Sequence, residues 1–137
     1  MLRFSKKTAL ALILMLMCIV LFQLSCASQK ALYSPFTQHF LKQLETELAK
    51  NKTGELNLSD KIQKDFLVRQ KDGQYVVHGK IIVELSVKES DLEPLNIIVN
   101  TKLDQLWTVA IPITSLKSLG KVKGVNFIEI DVPIYKK

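Results

Sequence analysis

The sequence predicts an α+β protein, and three observations carry that prediction. Between Phe66 and Val132, apolar residues recur mostly at every second position, the spacing of strands with one buried face. Near Ser90 and Leu116 that alternation gives way to helix signals. Upstream, Phe36, Phe40, Leu41, Leu44 and Leu48 recur at the helical period.

Taken in chain order, residues 1–27 read as an export signal. Arg3, Lys6 and Lys7 precede an unbroken apolar run from Ala9 to Phe22, which is short for a membrane span. Gln23-Leu24-Ser25-Cys26 resembles the lipobox of bacterial lipoproteins, which implies a lipid anchor at Cys26. Ser25 and Ala27 also make the small-residue pair of an ordinary cleavage site, releasing a soluble, secreted or periplasmic protein from Ser28, and an uncleaved anchor is the third outcome. All three place the domain outside the cytoplasm, in the cell envelope or beyond it. Cys18 and Cys26 are the two cysteines, so no disulfide staples the remainder. The chain carries +6; removing three of its 19 basic residues and none of its 13 acidic ones leaves +3, too little to argue for nucleic acid.

Residues 28–65 supply a helix and a linker. Ser34-Pro35 starts the helix, because serine accepts orphan N–H groups and proline is tolerated at the first helical position. The stripe from Phe36 to Leu48 spans about four turns and reads as docking onto the chain's own domain. A polar stretch to about Asp60 follows.

Residues 66–137 form the main domain. Phe66 to Gln70 and Tyr75 to Val77 flank Lys71-Asp72-Gly73-Gln74, a hairpin signal. Gly79 marks a weak point or bulge before a strand from Lys80 to Val87, with Ile81, Val83, Leu85 and Val87 on one face. Ser90-Asp91-Leu92-Glu93 opens one helical turn, limited by Pro94 and left through Asn96. Strands at Ile97 to Val99 and Leu106 to Ile113 follow, then a helix on Leu116, Leu119 and Val122, and a last strand from Val125 to Val132. Trp107 and Phe127 read as core. From Lys80 onward the order is β-α-β-β-α-β, the ferredoxin-like arrangement of an antiparallel sheet with helices on one face.

No catalytic constellation accompanies this order. His39 and His78 lie far apart and outside any metal-ligand spacing, the carboxylates are dispersed, and no phosphate loop or nucleophile elbow is present. The reading is therefore a binding module, with no enzyme activity, cofactor or metal.

The stretch from Gly79 to Ile134 resembles the propeptide domain of subtilisin-type serine proteases. The likeness is carried by Val83 and Leu85, Leu92, Asn96-Ile97, Val109 with Ile111-Pro112, Leu116 and Leu119, and Gly124-Val125 with Ile128-Glu129; Ser34-Pro35 and Lys71 to Tyr75 resemble the lead-in. The resemblance implies a module that packs its sheet on a subtilisin-type protease, helps it fold, and lays its tail in the substrate cleft. That tail would be Ile134, Tyr135, Lys136 and Lys137, held by strand addition. No Asp, His and Ser catalytic segments follow Lys137 here, so the resemblance implies an inhibitor or folding helper acting in trans, a remnant, or a domain reused for another envelope partner. The alternative, from Cys26 and the Phe36 to Leu48 stripe, is an envelope lipoprotein serving as a structural or assembly adaptor.

Overall fold

The computed structural model of the chain describes residues 30–51 and 56–134. The expected signal segment, Cys26, Tyr135, Lys136 and Lys137 lie outside the described residues.

After a two-residue strand, β1 (Leu32–Tyr33), the chain enters helix α1 (Pro35–Lys50). Ser34 caps it as its sequence predicts: the Thr37 N–H donates to Ser34 Oγ at 3.2 Å. Most of the apolar stripe faces inward, with Phe40 and Leu44 buried and Phe36 and Leu41 half-buried, while Leu48 at its end is exposed. The Phe66 ring lies 5.2 Å from Phe36 and 4.9 Å from Phe40. These contacts join the helix to the core of the sheet.

The first departure from expectation follows. Asp60–Asp65 is a short helix, α2, and strand β2 begins at Arg69 (Arg69–Lys71) rather than Phe66. Leu67 takes a left-handed conformation with φ 51°. Phe66 and Val68 therefore both point inward, at 4% and 6% exposure, across a turn that mimics strand alternation.

β2 and β3 (Gln74–Val83) form the expected hairpin. Asp72 and Gly73 have φ of 51° and 76°, the paired positive values of a tight two-residue hairpin turn. Gly79 does not break β3. It sits mid-strand opposite Val109 and Ile130, and the ladder irregularity falls at Ile82/Val83. Its role is close approach, because a Cβ there would lie 2.9 Å from Ile130 Cα. The strand also stops at Val83, not Val87, where the Glu84 N–H turns away to the Gly124 carbonyl. Leu85, expected inside, is 83% exposed, while Val87 is buried by the turn.

Two 3-10 turns, Glu89–Asp91 and Glu93–Leu95, replace the expected helical turn, and Asn96 leaves them with φ 54° as predicted. Pro94 explains the tightness, since it removes an N–H and crowds the preceding turn. β4 (Ile98–Leu103) and β5 (Leu106–Pro112) are joined at Asp104-Gln105. A 3-10 turn (Ile113–Ser115) leads into helix α3 (Leu116–Leu119), and β6 (Val125–Ile130) closes the sheet. Thr114 and Ser115 make no side-chain cap on α3; Ser115 Oγ donates instead to the Leu95 carbonyl at 2.8 Å.

The sheet has six strands in the order β1-β6-β3-β5-β4, with β2 also paired to β3. β3 is antiparallel to β5, β6 and β2, β4 is antiparallel to β5, and β1 is parallel to β6. One face carries Val77, Ile81, Val83, Trp107, Val109, Ile111, Val125, Ile128 and Ile130, all buried. Phe40, Leu44, Ile62, Leu92, Leu116 and Leu119 fill the same core, so the three helices pack on that face. The N-terminal segment also seals the outer edge of β6. Ser34 N–H donates to the Ile128 carbonyl and Ile130 N–H to Thr37 Oγ1, each at 3.0 Å.

Candidate functional site: the uncovered sheet face

Strand periodicity forces the even-numbered residues of β3 and β5 onto the face opposite the core. The pairing registers align its side chains in rows across the strands. Its first two rows are open to solvent, whereas Ala110 and Pro112 toward the other end are buried where residues 93–97 border the sheet. The first row is apolar: Leu103 opposes Leu106, Leu106 opposes Ile82, and Ile82 opposes Phe127. Leu103, Leu106 and Ile82 are 67%, 39% and 40% exposed. Phe127 is half-buried on this side, so its expected place in the core is corrected: Ile128 and Ile130 take the inward positions of β6. Trp107 is core, as expected.

The second row is Thr101, Thr108, Lys80 and Glu129, again direct cross-strand partners. Lys80 Nζ lies 2.9 Å from Glu129 Oε2. That hydrogen bond and the carboxylate charge hold the Lys80 ammonium above its ordinary pKa. The third row is Ile98, Ala110 and His78, and the fourth is Pro112, Val76 and Arg69. These last rows floor a groove of about 760 Å³. Arg69 and Lys71 line one wall, and Glu93, Asn96 and Asn100 line the other.

The C-terminal segment leaves the sheet beside this face. The Asp131 N–H donates to the His78 carbonyl at 2.9 Å, after which β2 occupies the edge of β3 and the chain departs. Ile134, expected in the protease-binding tail, is 93% exposed. Val132, expected to end the strand, lies beyond it and is 52% exposed.

The two histidines remain apart. His39 packs on Phe66 with ring centroids 5.6 Å apart, and His78 lies in the groove. Among the described residues no group of three or more His, Cys, Asp and Glu could hold a metal ion, and no helix is long and apolar enough to cross a membrane. The alignment of the apolar row was not read from the sequence. Its signal was present in Ile82, Leu106 and Phe127, large apolar residues on the polar phase of their strands. No family model, curated protein or solved structure matches the chain.

Proposed function

We propose that the chain is a non-catalytic, ferredoxin-like binding module of the subtilase-propeptide kind, acting outside the cytoplasm on a subtilisin-type serine protease in trans. One observation carries this reading: the sheet presents a continuous apolar row to solvent, and the chain leaves the sheet after Asp131 with Ile134 exposed. The sheet order β6-β3-β5-β4 with antiparallel neighbours supports the fold assignment. In this reading the apolar row anchors the module on the protease, and Ile134 leads the tail toward the substrate cleft, where main-chain hydrogen bonds hold it.

The test compares the chain with a form ending at Pro133 as inhibitors of a panel of bacterial subtilisin-type proteases. The full chain inhibits, and the shortened form binds without blocking the cleft. Equal inhibition by both rejects the tail mechanism; inhibition by neither rejects the protease reading. The adaptor alternative keeps only part of the α1 stripe as a partner surface, because Phe40 and Leu44 are buried in the chain's own core while Leu48 is 46% exposed. It rests on Cys26, and mass spectrometry of the mature N-terminus decides whether that anchor exists.

A further inference from the structure

The uncovered face is complementary to itself. A two-fold axis running along the strands between β3 and β5 turns a second copy over, lays each row on its own counterpart and exchanges the two sides. Phe127 then stands over Leu103 of the second copy, and Ile82 over its Leu106. In the next row, Lys80 and Glu129 meet threonine hydroxyls, so no charge confronts its like. At the groove, the wall bearing Arg69, Lys71 and Asp72, net positive, crosses to the wall bearing Glu93, twice by symmetry.

We propose that two copies of this chain associate face to face through this surface. With strands about 4.8 Å apart and same-face residues about 6.8 Å apart along them, the four rows span at most roughly 500 Å² per copy, because Ala110 and Pro112 within them are already buried. A ceiling of about 1,000 Å² over both copies sits at the lower bound for specific association, so the dimer is weak and reversible. The proposal stands on the face alone and does not rest on the protease reading. Where both hold, a second copy and a protease compete for one surface, and self-association sets how much free module is available.

Sedimentation of the full chain, from about 1 µM to about 500 µM, tests it. The mass rises toward twice that of the monomer with concentration. Leu103→Glu lies on an exposed edge position, keeps the far-UV circular dichroism of the parent, and raises the dissociation constant at least tenfold (~1.4 kcal/mol). Glu93→Lys weakens association, and adding Arg69→Glu and Lys71→Glu to the same chain restores it, a rescue that general stickiness would not produce. A chain that stays monomeric throughout overturns the proposal. So does association that neither Leu103→Glu nor Glu93→Lys changes, and failure of the charge swap to rescue overturns the two-fold arrangement.

Discussion

Ile81 and Ile82 are the same residue on the same strand, pointing to opposite faces, and comparing their alanine variants measures how differently those faces are covered. Ile81 is fully buried, opposite Trp107 and Ile128, which are 5% and 0% exposed. Its truncation leaves a cavity that the packed sheet and helices cannot collapse, at a cost of about 4 kcal/mol. Ile82 is 40% exposed, between Leu106 and Phe127. Its truncation loses only the contact area already made, and solvent fills the space, so the cost is about 1 to 1.5 kcal/mol. Both lose the β-branched preference for strands, which cancels in the comparison. The difference of about 2 to 3 kcal/mol corresponds to roughly 10 to 20 °C in melting temperature for a domain of this size. Urea unfolding at low micromolar concentration, where the chain is monomeric, reads it directly, with unchanged m-values showing that the denatured state is not responsible. Penalties equal within about 0.5 kcal/mol would mean that both faces are covered, and the reasoning about the docking surface would fail.

Three further outcomes follow from the packing. Gly79→Ala places a methyl against the Glu129 carbonyl oxygen and Ile130 Cα, both backbone, and destabilises by about 2 to 3 kcal/mol in thermal melts; a neutral result would show that β3 and β6 separate freely. Phe40→Ala costs about 3 to 5 kcal/mol and lowers a single cooperative transition, whereas a helix that melts alone while the sheet persists would show that α1 is an appendage. Alkaline pH loosens the fold. Burial raises the Tyr33 phenol above 10.0, and the Glu129 hydrogen bond raises Lys80 above 10.5. Both groups bind their protons more tightly in the folded state, so their stabilisation is complete below those ordinary values and is lost as pH rises through the raised ones. Lys80 is half exposed and solvent screens its pair, so Tyr33 carries most of the effect. Melting temperatures of the parent and of Tyr33→Phe between about pH 9 and pH 11 therefore converge as pH rises.

Much of the local structure was legible in the residues. Ser34-Pro35, the Phe40 and Leu44 stripe, the Asp72-Gly73 turn, Asn96 at a left-handed position and the inward phase of β5 each follow from backbone or side-chain chemistry that acts over a few residues. Two of the misreadings share a cause. At Phe66 to Val68, and again from Val83 to Val87, apolar spacing continues through a turn, and periodicity does not distinguish a strand from a bend that returns side chains to the same core. Gly79 was misread for a different reason: a glycine required by a neighbouring backbone looks, in one dimension, like a glycine that weakens a strand.

By itself the sequence determined most element types, most of the turns and the alternation of side chains along each strand, because these depend on the period of side-chain direction and on local dihedral preference; which face of β6 turns inward was not among them. Only the tertiary structure decided that Leu103, Leu106, Ile82 and Phe127 form one row, that β1 and the start of α1 seal the edge of β6, and that Arg69 and Glu93 line one groove. Register between strands distant in the chain brings those residues together, and that register is set by long-range hydrogen bonding and core packing.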